Sequence, residues 1–353
     1  MLNKANAIIP QMRLSELGEF GLINLIRTIS ARYENSGHTP WQEVLVGIGD
    51  DAAAWQSDNR IQLATTDTLV QHVHFDLDII DWEELGWKAL AVNLSDIAAM
   101  GGIPKYALLS LALPGGLEVE DISKFINSMM HLAREFEVAT VGGNVATSPN
   151  VVITIAVIGC AKDKAMLKRS TAVSGEQIAV TGYLGSSGAG LEMLKGKAIS
   201  DPEVSNFLRQ AHFKPVPKVK EGQILIEQGV RTAIDISDGL IADLDHICES
   251  SKVNAKIKIE QVPVHPVVRA NFPNHQELAM CGGEDYELLF TADEATVVRA
   301  KQALNCPVTV IGDVTEEKLP TRVTVVDNKG NIIPYKRGGW EHFKSTPGSL
   351  ATF

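Results

Sequence analysis

The sequence predicts a mixed α/β protein (α+β, built in α/β layers) with two domains. Apolar segments of strand period alternate with segments of helical period along the whole chain. At 353 residues the chain also exceeds the roughly 100 to 200 residues of one domain. A polar stretch, Ala161 to Glu176, separates two such series and ends in Ser174-Gly175. It divides the chain into residues 1–165 and 166–353, each long enough to bury its own core.

The first element with a clear period is IQLATT, 61–66, which alternates like a half-buried strand and is expected to end at Asp67. Asp81 with Glu84 three residues on forms a capping box, and Leu90, Leu94 and Ile97 make the apolar stripe of the helix behind it. Gly101, Gly102 and Pro104 stop that helix, and Asn93 and Asp96 share one of its faces. Tyr106 to Leu113 and Val151 to Ile158 have the character of buried strands, and Ile122, Phe125, Met129, Leu132 and Phe136 have helical spacing between them. In the second half, Ile178 to Thr181 is a strand, and the turn GYLGSSGAG leads to a helix from about Ala189. Ala233 to Ile236 is a strand running through Ser237-Asp238-Gly239 into a helix bearing Leu240, Leu244 and Ile247. Strands at 254–259, 286–291 and 307–311 and a helix near 293–304 complete a second α/β layer structure.

Charge and composition exclude whole classes. With 32 Lys+Arg against 43 Asp+Glu and a net charge of -11, the chain has no basic stripe with which to neutralise phosphates, so a nucleic acid is not an expected partner. Its longest apolar stretch, Val151 to Ala161, is short of the roughly 20 residues that span a bilayer. The first residues, MLNKANAIIPQM, lack an apolar signal region, which makes the cytoplasm the expected compartment. Cys160, Cys248, Cys281 and Cys306 form no CxxC pair and are expected to be reduced thiols.

The candidate chemistry lies in acidic residues at element ends: Asp50 and Asp51 in GIGDDAA, Asp67 in TTDT, Asp96 in NLSD, and Asp235 and Asp238 in DISDG. Each alone is explained by a cap or a turn. As a converging set they require cations, since two carboxylates 4 Å apart repel by about 4 kcal/mol at an effective dielectric of 20. Oxygen donors without His or Cys suit Mg²⁺, which commonly accompanies phosphates. Among phosphate loops, GxxxxGK[ST] is absent and GYLGSSGAG lacks the dinucleotide spacing, so that turn is best explained as a strand-to-helix connection. GxSxG and HExxH are also absent. His74 in QHVHF is either a solvated loop histidine or a substrate contact, and Glu284 in CGGEDYE is either a solvated turn carboxylate or a participant.

Taken in order, GIGDDAA, TTDTLVQHVHF, KALAVNLSDIAAMG, GGN, KRSTAVSGE, AIDISDGL and CGGEDYELLFT resemble the bacterial thiamine-monophosphate kinase family, from about Leu14 to Phe343. The resemblance implies two domains of the aminoimidazole ribonucleotide synthetase-like type, with N-terminal domains that pair into a homodimer and a site in the cleft between domains. It implies phosphorylation of thiamine phosphate by ATP with Mg²⁺, often with K⁺. Carried over motif by motif, Asp51, Thr65, Thr66, Asp67, Asp96, Asn144, Asp235 and Asp238 would hold metal. Gly143, Asn144, Arg169 and Ser237 would contact ATP, and His74, Glu284 and Trp340 the thiamine phosphate. A phosphate monoester is already anionic at neutral pH, so no catalytic residue beyond the metal ligands is expected. Arg169 would otherwise be an exposed linker arginine and Trp340 a core residue. Asn144 departs from the family's usual Asp and brings no charge to a metal. Two alternatives stay open: a sister ATP-dependent synthetase acting on another small phosphate, and a non-catalytic nucleotide-binding homologue.

Overall fold

The computed structural model describes residues 12–34, 39–46, 48, 54–55, 57, 59–162, 165–316 and 322–335. Its N-terminal half comprises α1 (Leu14–Glu34), α2 (Thr39–Glu43), β1 (Val44–Val46), β2 (Ala54–Trp55), β3 (Gln62–Val70), α3 (Trp82–Ala99), β4 (Ile103–Leu113), α4 (Val119–Glu135), β5 (Ala139–Thr147) and β6 (Val152–Cys160). Its C-terminal half comprises β7 (Gln177–Thr181), α5 (Ser186–Leu194), α6 (Pro202–Phe213), α7 (Val219–Glu227), β8 (Thr232–Asp235), α8 (Leu240–Ser251), β9 (Val253–Lys258), α9 (Pro266–Asn271), α10 (His275–Cys281), β10 (Leu288–Ala292), α11 (Glu294–Ala303), β11 (Val308–Glu316) and β12 (Val323–Val326).

Two large sheets organise these elements. The first has the order β3-β6-β4-β5, with β4 and β5 parallel and joined over the sheet by α4, as a parallel pair requires. The second has the order β12-β9-β11-β7-β10-β8 and is antiparallel apart from β12 with β9. One face of the first sheet buries Leu63, Leu69, Ile153, Ile155, Val157, Leu109 and Leu111 beneath α3 and α4. This core runs on without interruption into Ala179, Ala233, Leu288 and Phe290 of the second sheet. The other face of the second sheet buries Ile178, Val180, Ile234 and Leu289 against α5, α8, α9 and α10.

Helix α3 is the element between the two halves. Buried on nearly every side, as a central helix must be, it packs on α4, α7, β3, β6 and β8. The expected capping box is present: Asp81 Oδ1 accepts from Glu84 N at 2.7 Å and Glu84 Oε2 accepts from Asp81 N at 3.1 Å. α7 lies so close to its C-terminal turn that a Cβ on Gly222 would stand 2.1 Å from Ala98 O.

Two expected boundaries are corrected. β3 continues to Val70 because Thr68, Leu69 and Val70 pair with Thr154, Ile153 and Val152, so Asp67 stands inside the strand and not at its end. α5 begins at Ser186, ahead of Ala189, because Asp285 reaches over from the loop before β10 and accepts from Gly185 N at 2.6 Å and Ser187 N at 3.1 Å. That carboxylate supplies the cap that the Gly-rich turn lacks locally.

Candidate active site

The period of β3 directs Thr65 and Asp67, with Leu63 and Leu69, toward α3. Thr65 Oγ1 donates to Asp96 Oδ2 at 2.5 Å, and Asn93 Oδ1 accepts from Asp67 N at 3.0 Å. On the far side of the same helical turn, Ser95 Oγ donates to Asp235 Oδ2 at 2.7 Å. One turn of α3 thus joins the strand carrying Asp67 to β8, whose last residue is Asp235. Burial, then the charge of Asp96, pushes the Asp67 carboxyl up to about 6. The same two causes push Asp235 up to about 7, against Ser95 and Arg169. Asp96 is also raised by burial, and its bond from Thr65 and the charge of Arg169 oppose the rise. Three of the sequence-predicted carboxylates therefore converge, with Arg169 facing two of them from the turn Arg169–Thr171.

The turn after β8 extends this acidic group. Asp243, on the first turn of α8, accepts from the amides of Ser237, Asp238 and Gly239, each at 3.1 Å. Its carboxyl stands well above the usual range through burial and then the charges of Asp235 and Asp238. Asp238, Asp243 and His246 hold ligand-type atoms within 4.8 Å of one another. Sequence reasoning missed Asp243; its spacing four residues after Gly239 was the available signal.

A second group forms around Glu284. Glu284 and Tyr286 both take left-handed backbone, φ 64° and 50°, held by bonds from Glu284 N to Ser237 O (2.8 Å) and from Tyr286 N to Ile236 O (2.9 Å). Lys88 Nζ lies 2.9 Å from Glu284 Oε1 and 3.0 Å from Oε2, and His212 Nδ1 lies 3.4 Å from Oε2. Burial would raise the Glu284 carboxyl, but Lys88, His212 and His74 together hold it below its ordinary value. Of the two readings open for Glu284, a solvated turn carboxylate or a participant, the first does not hold: Glu284 is ion-paired across the two halves of the chain. His74, whose Nδ1 accepts from Val70 N at 3.1 Å, belongs to this group. The buried Tyr286 phenol is raised by burial and then by the charges of Glu284, Asp67, Asp235 and Asp96, and was not foreseen.

Other predicted residues lie elsewhere. Asn144 is exposed on β5 and sits in a row with Ser110, Thr154 and Thr68, so it faces away from Asp67 and lies three strands, roughly 14 Å, across the sheet. Within one chain Asn144 does not join the Asp67–Asp96–Asp235 group, because strand alternation turns it to the opposite face. Thr66 shares that opposite face, its Oγ1 donating to Ile155 O at 3.1 Å. Gly143 has a steric reason to be glycine: a Cβ there would stand 1.7 Å from Leu109 O. Asp50, Asp51 and Trp340 lie outside the described residues.

Two α/β halves thus each bring a carboxylate to one central helix, Asp67 from β3 and Asp235 from β8, which defines a paired-domain protein with a shared acidic site. Residues 49–161 match the AIR synthase related protein N-terminal domain, and residues 173–324 match the C-terminal domain. The chain is 39% identical over 306 residues to a thiamine-monophosphate kinase of Buchnera aphidicola subsp. Acyrthosiphon pisum, covering 84% of this chain and 92% of that one. It is 39% identical over 340 residues to the thiamine-monophosphate kinase of Haemophilus influenzae, covering 94% and 99%. Among solved structures, AaThiL complexed with AMPPCP and TMP superposes with a TM-score of 0.71 at 35% identity, covering 95% of this chain and 100% of that one. The chain belongs to the AIR synthase related family and, within it, to the thiamine-monophosphate kinases.

Proposed function

We propose that the chain transfers the terminal phosphoryl group of ATP to thiamine phosphate, forming thiamine diphosphate. The observation that carries this is the convergence of Asp67, Asp96 and Asp235 beside Arg169, next to the Glu284 group. The AMPPCP and TMP bound in AaThiL supply the substrate classes for these two groups. Two carboxyls pushed up to about 6 and about 7 make a donor set that needs either protons or cations. All its donors are oxygens, so it fits Mg²⁺.

Asp67, Asp96, Asp235 and Asp238 would hold the ions, with Thr65 beside Asp96; the family pattern adds Thr66 and Asn144, on the opposite face of the sheet, and Asp51, outside the described residues. When bound, Mg²⁺ neutralises phosphate oxygens and holds them for in-line transfer. Arg169 places its guanidinium where charge develops on the transferred group. The phosphate of the substrate is anionic at neutral pH and attacks without a general base. Glu284 and His74, with Trp340, orient the thiamine portion, and Ser237 and Gly143 contact the nucleotide.

The open face of the first sheet supports a homodimer. Thr66, Thr68 and Asn144 are exposed there, and Thr154, Ala156 and Ser110 are half-buried. Trp41, Val44 and Trp55 pack on this face at its Tyr106–Ile158 end, where Glu43 also accepts from the Tyr106 hydroxyl. Thr66 and Asn144, which the family pattern assigns to the metal and nucleotide set, lie on this face. No helix among the described residues is long and apolar enough to cross a membrane, and all four cysteines are thiols, which supports a cytoplasmic enzyme. Purified protein with Mg-ATP is to be given thiamine phosphate, thiamine and an aminoimidazole ribonucleotide precursor in parallel. Phosphorylation of thiamine phosphate alone supports the reading, and turnover of the aminoimidazole substrate instead transfers the chain to the sister synthetases.

A further inference from the structure

Lys88 opens the KALAVNLSDIAAMG motif without a role assigned to it above, yet it is 1% exposed. A buried ammonium persists only when paired, and this one is bonded to both oxygens of Glu284, at 2.9 and 3.0 Å. His212 is pushed down to about 3 by burial and then by Lys88. It is held by Ser187 Oγ, 2.9 Å from His212 Nδ1. The Lys88 side chain also lies over the Phe213 ring, 5.7 Å from its centroid, which restricts the path of the stem.

The position of Lys88 on α3 gives the pair its consequence. One turn before it, Glu84 is gripped by Arg209 of α6 through Nε at 2.6 Å and Nη2 at 2.5 Å. Two turns after it, roughly 12 Å along the axis, comes Asp96. One rigid helix therefore bears a carboxylate of the metal group and the ammonium that meets Glu284. Glu284 itself stands at φ 64°, a conformation that a residue with a Cβ keeps only when its surroundings fix it. A carboxylate offers about four acceptor positions, and Lys88 takes one on each oxygen, leaving the others for a ring N–H or a cationic ring.

We propose that Lys88 is a positioning residue for thiamine phosphate: its ammonium fixes the Glu284 carboxylate in the orientation that receives the substrate's nitrogen-bearing rings, and so ties the substrate loop to the metal-bearing helix. This rests on the kinase reading and on Glu284 as the substrate contact. Neither oxygen of Glu284 is free to rotate away while Lys88 spans both.

The test is steady-state kinetics of Lys88→Met, Lys88→Gln, Glu284→Gln and the Lys88→Met/Glu284→Gln double variant beside the wild type. The expected result for Lys88→Met is a rise in KM for thiamine phosphate of about tenfold or more, the equivalent of one charge-assisted hydrogen bond, with KM for ATP changed less than about twofold. In the Glu284→Gln background the same substitution should add less than about twofold, because Lys88 acts only through that carboxylate. Equal rises in both KM values, an unchanged KM for thiamine phosphate, or a full additive effect in the double variant overturns the proposal. If Lys88→Met does not fold, Lys88→Gln, which keeps an N–H donor, and the double variant, which buries no unpaired charge, carry the same comparison. Wild-type protein that makes no thiamine diphosphate removes the kinase reading itself, and the proposal with it.

Discussion

Asp235→Asn should make the metal-free protein more stable while removing its activity. Asp235 is 2% exposed, and its carboxyl is raised from 3.8 to about 7 by burial and then by Asp96. At 1.36 kcal/mol per pKa unit, that difference amounts to about 4 kcal/mol of stability lost when the carboxylate is ionised without a cation. The sign follows from the direction. A folded-state value above the unfolded one means that the native protein holds the proton more tightly, so the cost is absent below about pH 4 and full above pH 7. Asn keeps an oxygen to accept from Ser95, so little is lost in exchange. At about 2 °C per kcal/mol for a chain of this size, the variant should melt up to about 8 °C higher than wild type in EDTA at pH 8. The gap should shrink to roughly half at pH 5. Added Mg²⁺ should raise the wild-type midpoint and leave the variant unmoved. Differential scanning calorimetry with EDTA or Mg²⁺ at both pH values reads all of this. A variant that melts below wild type in EDTA at pH 8, or that keeps the wild-type response to Mg²⁺, refutes the reasoning.

Other expectations follow from the same geometry. Gly143→Ala places a Cβ against Leu109 O and should part β5 from β4, lowering the midpoint by several degrees together with loss of nucleotide binding by calorimetry. Arg169→Ala removes the cation that opposes the raised carboxyls of Asp96 and Asp235, so kcat should fall about a hundredfold and the acid limb of its pH profile should move to higher pH. An unmoved limb would separate Arg169 from those carboxylates. Ala156→Glu puts a charge in the middle of the open sheet face; sedimentation velocity should show the wild type as a dimer and the variant as a monomer, with activity falling in step.

Local patterns were legible in the sequence, and pairings across long separations were not. The Asp81–Glu84 capping box and the stripe Leu90–Leu94–Ile97 stand as read, because each depends only on neighbours within one helix. β5 escaped notice since Gly142-Gly143-Asn144 has poor strand propensity; it is held by pairing with β4. α6 went unassigned although Asp201 and Pro202 are strong start signals and cap it as such residues do. The grouping of Asp67, Asp96 and Asp235 came from the family motifs, the charge argument saying only that such a group needs cations, whereas the separation of Asn144 depends on strand order and facing, which no local pattern encodes. Lys88, Arg209 and His212 looked like ordinary side chains because their carboxylate partners lie 72 to 196 positions away.

The most direct test follows the phosphoryl group itself. In a ³¹P NMR experiment on purified protein with Mg-ATP and thiamine phosphate, the diphosphate resonances of thiamine diphosphate should grow as the terminal ATP phosphate disappears. The Asp96→Asn protein, folded by circular dichroism, should leave both substrates unchanged. ATP consumed to inorganic phosphate with no thiamine diphosphate formed, or full turnover by Asp96→Asn, would contradict the account.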